Sequence, residues 1–136
     1  MTKCVYINDL AGFLPNAPVS NEEIENVLGR INEIPSLSKQ RMLDNNKIVK
    51  RYYAIDPSTG KFTHTNAQLT AEAVRRLNPH ETFSMDEIET LCCGTTSPDL
   101  IMPGHALMVL GELGLKPCEA VSTAGICLSG MADPGR

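Results

Sequence analysis

Residues 120–130 read AVSTAGICLSG, and this stretch decides the fold class of the chain. Residues 120–123 predict a buried strand, and a turn of small residues carrying Cys127 follows it. A helix beginning just after Cys127 would put the thiol at the positive end of a helix dipole, which favours the nucleophilic thiolate. The flanking Gly125, Ser129 and Gly130 would let the backbone approach a substrate, and their amides could stabilise an oxyanion. Glycine-rich turns without any catalytic role share this pattern, so both interpretations stay open.

Segments of strand and helix character alternate upstream of this stretch. Residues 88–93 predict a strand, and residues 104–113 predict a helix with Pro103 at its first position and Gly114 at its end. A further helix is predicted over 66–77, ended by Asn78-Pro79. The alternation predicts an α/β fold with parallel strands. The predicted buried faces are Leu69, Ala73 and Leu77 on the first helix, and Ala106, Leu107, Leu110 and Leu113 on the second.

The first 60 residues predict shorter elements, taken here in chain order. They are a β-prone run at 5–7, a loop at 12–18, a helix over 21–33 started by a Ser20–Glu23 capping box and stopped by Pro35, a short helix followed by an extended segment within 38–56, and a turn at 57–60.

Length and charge exclude several classes of protein. A chain of 136 residues corresponds to one domain. It carries 12 basic and 16 acidic residues, and this acidic balance speaks against nucleic-acid binding. No apolar run approaches the length of a membrane span, and the N-terminus lacks a signal-peptide pattern. The sequence therefore predicts a soluble, cytoplasmic protein without a membrane partner.

The cysteines and histidines give no metal site. An odd count of five cysteines without a C-x-x-C pair predicts neither a disulfide framework nor a zinc site. Most of the cysteines are predicted to be small buried hydrophobes, and neighbours on a strand would point to opposite faces. The histidines are predicted to be solvated or capping residues, which weakens a self-contained Cys-His hydrolase. The cysteines are Cys4, Cys92, Cys93, Cys118 and Cys127, and the histidines are His64, His80 and His105.

Several motifs resemble β-ketoacyl-(acyl carrier protein) synthase III of the thiolase superfamily. They are CGTTSPD at 93–99, the helix after Pro103 and VSTAGIC at 121–127. Residues 12–23 are similar to the family's opening loop and helix, and residues 48–51 to its Gly-Ile-x-x-Arg segment, with Lys47 in place of the glycine. With RYYAID at 51–56, the chain most resembles the ketosynthases that form dialkylresorcinols. The resemblance implies the N-terminal portion of a thiolase-like fold, an incomplete αβαβα half.

The resemblance also implies a mechanism. Cys127 would attack an acyl-CoA or acyl carrier protein thioester and hold the acyl group covalently. A malonyl- or β-ketoacyl-carrier substrate would then form the carbon–carbon bond, in lipid or dialkylresorcinol-type biosynthesis. No metal or redox cofactor is implied. Met102 would lie at the dimer interface and border the partner's acyl pocket, so the full-length enzyme is expected to be a homodimer.

Two departures from the family pattern shape these expectations. The family pairs its cysteine with a histidine and an asparagine in its second half. We therefore expect residues 1–136 to be the N-terminal thiolase-like half, truncated shortly after the nucleophile and inactive alone. The turn after Cys127 is one residue longer than the commoner Cys-Ala-Gly form. The alternative is a non-catalytic interaction or dimerisation module derived from the same fold.

Overall fold

The computed structural model describes residue 4, residues 6–77 and residues 84–131. These residues fall into two compact units. The first is Leu14–Thr65, which we call the hairpin unit. The second comprises the described residues of Met1–Phe13 and Asn66–Arg136, which we call the cysteine unit. No helix within the described ranges is long and apolar enough to cross a membrane.

Short elements make up the hairpin unit. Strands β1 (Val19–Ser20) and β2 (Lys50–Arg51) pair antiparallel. Between them lie helix α1 (Ile24–Leu28), a 3-10 turn (Ile31–Glu33) and helix α2 (Lys39–Asn46). The predicted short helix and extended segment within 38–56 are therefore confirmed. The predicted turn at 57–60 is also confirmed, since the Gly60 amide donates to the Asp56 carbonyl at 2.8 Å.

The helix predicted over 21–33 is too long. It begins after Glu23, and half of the predicted capping box forms, with the Ser20 amide donating to Glu23 Oε2 at 3.0 Å. It ends at Leu28 because Gly29 has φ 76°, and Asn32 then has φ 53°. Left-handed residues cannot continue a right-handed helix, so glycine and asparagine divide the segment.

The strand predicted over 5–7 does not form at the residues described there. Tyr6 and Ile7 lie outside the strands of the described ranges and are exposed. A β-prone run needs a partner strand for its backbone hydrogen bonds, and these residues have no strand partner in the described part of the chain. Val5 lies outside the described residues.

A parallel strand pair organises the cysteine unit. Strand β3 (Thr90–Gly94) and strand β4 (Glu119–Thr123) run in register, with Cys92 opposite Val121. Helix α4 (His105–Leu113) connects them, and helix α3 (Asn66–Arg75) packs against α4. A 3-10 turn (Met85–Glu87) precedes β3. The α/β fold with parallel strands is thus confirmed.

The core of this unit is built from small side chains. The buried face predicted for α4 is largely confirmed, since Ala106 is buried and Leu110 and Leu113 pack against the core. The face predicted for α3 is wrong, and so is Leu107 on α4. Ala67 and Ala71 are the buried residues of α3, whereas Leu69 is only half-buried. On α4, Leu107 is 53% exposed while Val109 is fully buried. Small residues allow two helices and a sheet to approach closely, so the leucines lie around the contact. The buried hydrophobic residues are Ala67, Ala71, Leu91, Cys93, Ala106 and Val109.

The ends of the two helices follow local chemistry. Asp99 caps α3, because its two carboxylate oxygens accept from the Asn66 and Ala67 amides at 2.8 Å each. Gly104 is the N-cap of α4, so Pro103 precedes the helix and is not its first residue. Gly114 ends α4 with φ 64°, as predicted. The predicted Asn78-Pro79 stop lies outside the described residues.

Candidate active site

Cys127 lies in a turn directly after β4. It is exposed and is the second residue of a six-residue 3-10 helix, Ile126–Met131. The sequence predicts a helix that begins just after the cysteine, whereas this helix begins one residue before it. Ile126 has φ 51°, a left-handed conformation that is rare for a β-branched residue. The turn that presents the thiol is therefore strained immediately beside Cys127.

Ser129 closes this turn from the inside. Its side chain is buried, and Oγ accepts from the Gly125 amide at 2.9 Å and donates to the Ile126 carbonyl at 2.8 Å. Its own carbonyl accepts from Thr123 Oγ1 at 2.6 Å. One serine thus joins the end of β4 to both sides of the strained residue.

Gly94 allows the turn to rest on the end of β3. A Cβ built on Gly94 would lie 2.3 Å from the Ser129 carbonyl oxygen and 2.5 Å from its carbon. No side chain fits at such a distance from backbone atoms. The Thr95 amide also donates to the Thr123 carbonyl at 3.2 Å, so the carboxyl ends of both strands meet at the turn.

Gly125 is held by hydrogen bonds inside the turn. Its amide donates to Ser129 Oγ, and its carbonyl accepts from the Leu128 amide at 2.9 Å. The amide that the sequence nominates for an oxyanion therefore stabilises the turn in this structure. The missing side chain leaves only ordinary contacts, because a Cβ would lie 3.5 Å from the nearest atoms.

Met102 lies in the loop between β3 and α4 and is 82% exposed. It follows Leu100 and Ile101, which are also exposed. The preceding part of this loop is fixed to α3, since Asn66 Nδ2 donates to the Ser97 carbonyl at 2.6 Å and Asp99 caps the same helix. The loop thus presents three consecutive apolar side chains on an anchored base.

The remaining cysteines differ from their predicted burial. Only Cys93 is buried, Cys118 is half-buried, and Cys4 and Cys92 are exposed like Cys127. Cys92 and Cys93 do point to opposite faces of β3, as predicted. Burial, with a smaller contribution from Cys92, raises the pKa of the Cys93 thiol to about 11. Cys93 is therefore a neutral thiol at physiological pH and a poor nucleophile.

His105 is buried, although the sequence predicts a capping or surface residue. It is 4% exposed, and its Nε2 lies 3.1 Å from Thr70 Oγ1. Because the Thr70 hydroxyl donates to the Asn66 carbonyl, it accepts from Nε2–H. Nδ1 is buried without a hydrogen-bond partner among the described residues. Its position in the contact between α3 and α4 explains the burial, which the first-turn position alone does not reveal.

The other predicted residues give no second site. His64 lies in the hairpin unit with its Nδ1 2.9 Å from Thr63 Oγ1, and His80 lies outside the described residues. Within residues 4, 6–77 and 84–131, no three potential metal ligands cluster together. Ser129 is the residue whose importance the sequence understates. Its signal is the extra residue in the turn after Cys127.

Comparisons with known proteins give one consistent class. The chain is 29% identical over 128 residues to β-ketoacyl-(acyl-carrier-protein) synthase III of Thiobacillus denitrificans, covering 90% of this chain and 36% of that protein. It is 30% identical over 115 residues to the enzyme of the same name from Bordetella petrii, covering 85% of this chain and 33% of that protein. The chain thus spans about a third of the length of these curated relatives. No family model matches it.

A solved structure described as a tetronic acid condensing enzyme matches the fold. The TM-score is 0.64 at 25% identity, over 89% of this chain and 36% of that one. The chain therefore has part of a thiolase-like condensing-enzyme fold, as predicted. The two named relatives are both β-ketoacyl-(acyl-carrier-protein) synthase III enzymes, which agrees with the family that the sequence motifs resemble.

Proposed function

We propose that this chain contributes the acyl-accepting part of a β-ketoacyl synthase III-like condensing enzyme, with Cys127 as its catalytic residue. The observation that carries the proposal is the exposed thiol in a strained, internally bonded turn at the carboxyl end of β4. Strain beside a reactive group is typical of functional sites. The similarity to condensing enzymes over most of the chain supports the same assignment.

The proposed step is acyl transfer to sulfur. The Cys127 thiolate attacks the carbonyl carbon of an acyl thioester, and a new carbon–sulfur bond forms at Sγ. The tetrahedral oxyanion then collapses, the original carbon–sulfur bond breaks, and the carrier thiolate leaves and takes up a proton. The competing thiol Cys93 is buried and neutral, so it does not interfere.

The substrates follow from the named relatives and from the sequence resemblance. We assign an acyl-CoA or acyl carrier protein thioester as the acyl donor and a malonyl- or β-ketoacyl-carrier thioester as the carbon nucleophile. The dialkylresorcinol-forming subfamily is the narrower assignment. Met102 would border the acyl pocket of a second copy, and Gly125 would lie near the acyl group through its lack of a side chain. No metal or redox cofactor takes part in this scheme.

Intact-mass spectrometry tests the proposal. The chain is mixed with decanoyl-CoA at neutral pH. Condensation is not expected from this chain alone, but slow formation of a single decanoyl adduct is expected on the protein. Cys127→Ala should abolish the adduct, while Cys92→Ala, which removes another exposed thiol, should retain it. An adduct that survives Cys127→Ala, or a wild-type chain that stays unmodified, would contradict the assignment.

A non-catalytic interaction or dimerisation module is the second candidate. The exposed apolar run Leu100-Ile101-Met102 favours it, because adjacent exposed apolar residues are characteristic of association surfaces. Under this candidate, Met102→Asp should prevent self-association while Cys127→Ala has no biochemical consequence. Sedimentation velocity on both variants, together with the acylation assay, distinguishes the two functions.

A further inference from the structure

The turn that carries Cys127 depends on a single buried hydroxyl. Ser129 Oγ bonds to the groups on either side of the strained residue, the Gly125 amide and the Ile126 carbonyl. These bonds close a small ring of backbone around Ile126, whose φ of 51° is unfavourable for a branched side chain. Without the hydroxyl, both groups would lose the partner that they have in this turn.

The backbone of Ser129 also contacts the ends of the two strands, β3 and β4. Its carbonyl accepts from Thr123 Oγ1 at the end of β4, and the backbone there leaves no room for a side chain at Gly94. The turn is therefore fixed to the carboxyl ends of β3 and β4. Cys127 lies between the two anchored points, Ile126 and Ser129.

We infer that Ser129 is a positioning residue for Cys127: its hydroxyl holds the turn in the strained conformation that directs the thiol toward an acyl thioester. The inference rests on the proposed function. Ser129 itself does not touch the reacting atoms. Its effect is on the geometry of the thiol, which acyl transfer from a bulky thioester requires and which alkylation by a small reagent does not.

The experiment compares two reactions at the same thiol. Ser129→Ala should slow acylation of Cys127 by decanoyl-CoA by about tenfold or more, because the thiol then samples unproductive positions. Alkylation of Cys127 by iodoacetamide should change less than about twofold, because it needs only an exposed thiolate. Ser84→Ala is the matched control. Ser84 is exposed, and its hydroxyl accepts from the Asp86 amide in a 3-10 turn of the same unit.

Thr123→Val provides a second variant that keeps the shape of the side chain and removes the donor to the Ser129 carbonyl. Like Ser129→Ala, this variant should slow acylation of Cys127 by decanoyl-CoA and leave its alkylation by iodoacetamide unchanged. If Ser129→Ala does not fold, as judged by circular dichroism, Thr123→Val decides the matter alone.

The outcomes separate the two hypotheses. Equal acylation of the wild-type and variant chains overturns the positioning role while the proposed function stands. A parallel fall in acylation and alkylation also overturns it, because that pattern indicates a general loss of structure or access. A wild-type chain that is never acylated at Cys127 overturns the proposed function and the positioning role with it.

Discussion

The cysteine unit and the hairpin unit are stabilised by different forces. The cysteine unit buries an apolar cluster between α3, α4 and the sheet, with Val109 fully enclosed. In the hairpin unit, only Pro15 is buried among the residues whose burial is described. Burial of one apolar side chain stabilises a fold by about 1.5–3 kcal/mol, whereas a single hydrogen bond contributes about 1 kcal/mol net. The hairpin unit should therefore open at lower cost.

In the hairpin unit, hydrogen bonds of asparagine side chains, to the backbone and to other side chains, connect the segments that a core would otherwise join. Asn16 Nδ2 lies 2.8 Å from the Tyr53 carbonyl and 3.0 Å from Thr63 Oγ1, which joins segments distant in sequence. Asn21 Nδ2 donates to the Ile48 carbonyl at 3.0 Å, and Asn21 Oδ1 accepts from Arg51 Nη1 at 2.6 Å. Such contacts specify a conformation, but water competes for each of them.

The largest effect is expected from breaking the core of the cysteine unit. Val109→Ala should lower the free energy of unfolding by about 2 kcal/mol, because it removes buried methyl groups and leaves a cavity. Leu107→Ala on the same helix is the control and should cost under about 1 kcal/mol, since Leu107 is 53% exposed. Urea unfolding measures both changes. Equal losses would show that α4 is not packed as described.

Alkaline pH should weaken the same unit selectively. Burial raises the pKa of Cys93 from 9.0 to about 11, so the folded state favours the neutral thiol. The resulting stability is fully present below pH 9 and is lost as the pH rises toward 11. The loss should be on the order of 2 kcal/mol and should be absent in Cys93→Ala.

Melting temperatures across this pH range supply the measurement. Cys92→Ala is the matched control, because it alters the exposed neighbour on the opposite face of β3 and should retain most of the pH dependence. A Cys93→Ala chain with the wild-type pH dependence would refute the assignment to Cys93.

A smaller effect is expected from Asn16. Asn16→Ala should destabilise the hairpin unit by about 1–2 kcal/mol, because it removes the hydrogen bonds and leaves alanine at φ 56°. Asn16→Gly tolerates this φ and isolates the contribution of the hydrogen bonds. Hydrogen exchange should increase within Leu14–Thr65 and stay unchanged in β3 and β4. Uniform acceleration across both units would contradict independent stabilisation.

The smallest effect is a gain. Lys47 ends α2 with φ 59°. It stands where the Gly-Ile-x-x-Arg segment of the family that the sequence resembles has glycine. Lys47→Gly should raise stability by about 0.5–1 kcal/mol, because glycine adopts this conformation without steric cost. Lys47→Ala keeps the Cβ and should give no such gain. Chemical denaturation of the two variants compares them directly, and an equal gain in both would point away from the backbone conformation.

The α/β pattern and the location of the candidate site can be predicted from the sequence, whereas the packing of the helices is predicted less well. The two parallel strands, α3, α4 and the turn at Cys127 follow from local periodicity and from glycine, which act over a few residues. The buried face of α3 does not, because hydrophobicity favours Leu69 while close helix packing selects Ala67 and Ala71. Burial depends on which partner surface is adjacent, and a single sequence does not specify that partner.

The same limit applies to the site itself. The motif makes Cys127 the candidate nucleophile, but the role proposed for Ser129 depends on hydrogen bonds to Thr123, Gly125 and Ile126 that form only in the folded turn. The helix predicted over 21–33 fails for a local reason. The apolar residues at helical spacing predict a helix that continues past Gly29. The positive φ of Gly29 ends the helix there instead.

Cys92 and Cys93 point to opposite faces of β3, so their reactivities can report how often the core of the cysteine unit opens. A disulfide-exchange reagent should react with Cys92 immediately, since that thiol faces outward. It should reach Cys93 only when α4 separates from the sheet, so the slow labelling of Cys93 measures the frequency of that event. The exposed Cys92 thus serves as the internal reference for the buried Cys93. The ratio of their labelling rates gives the fraction of time for which the core is open in the native state.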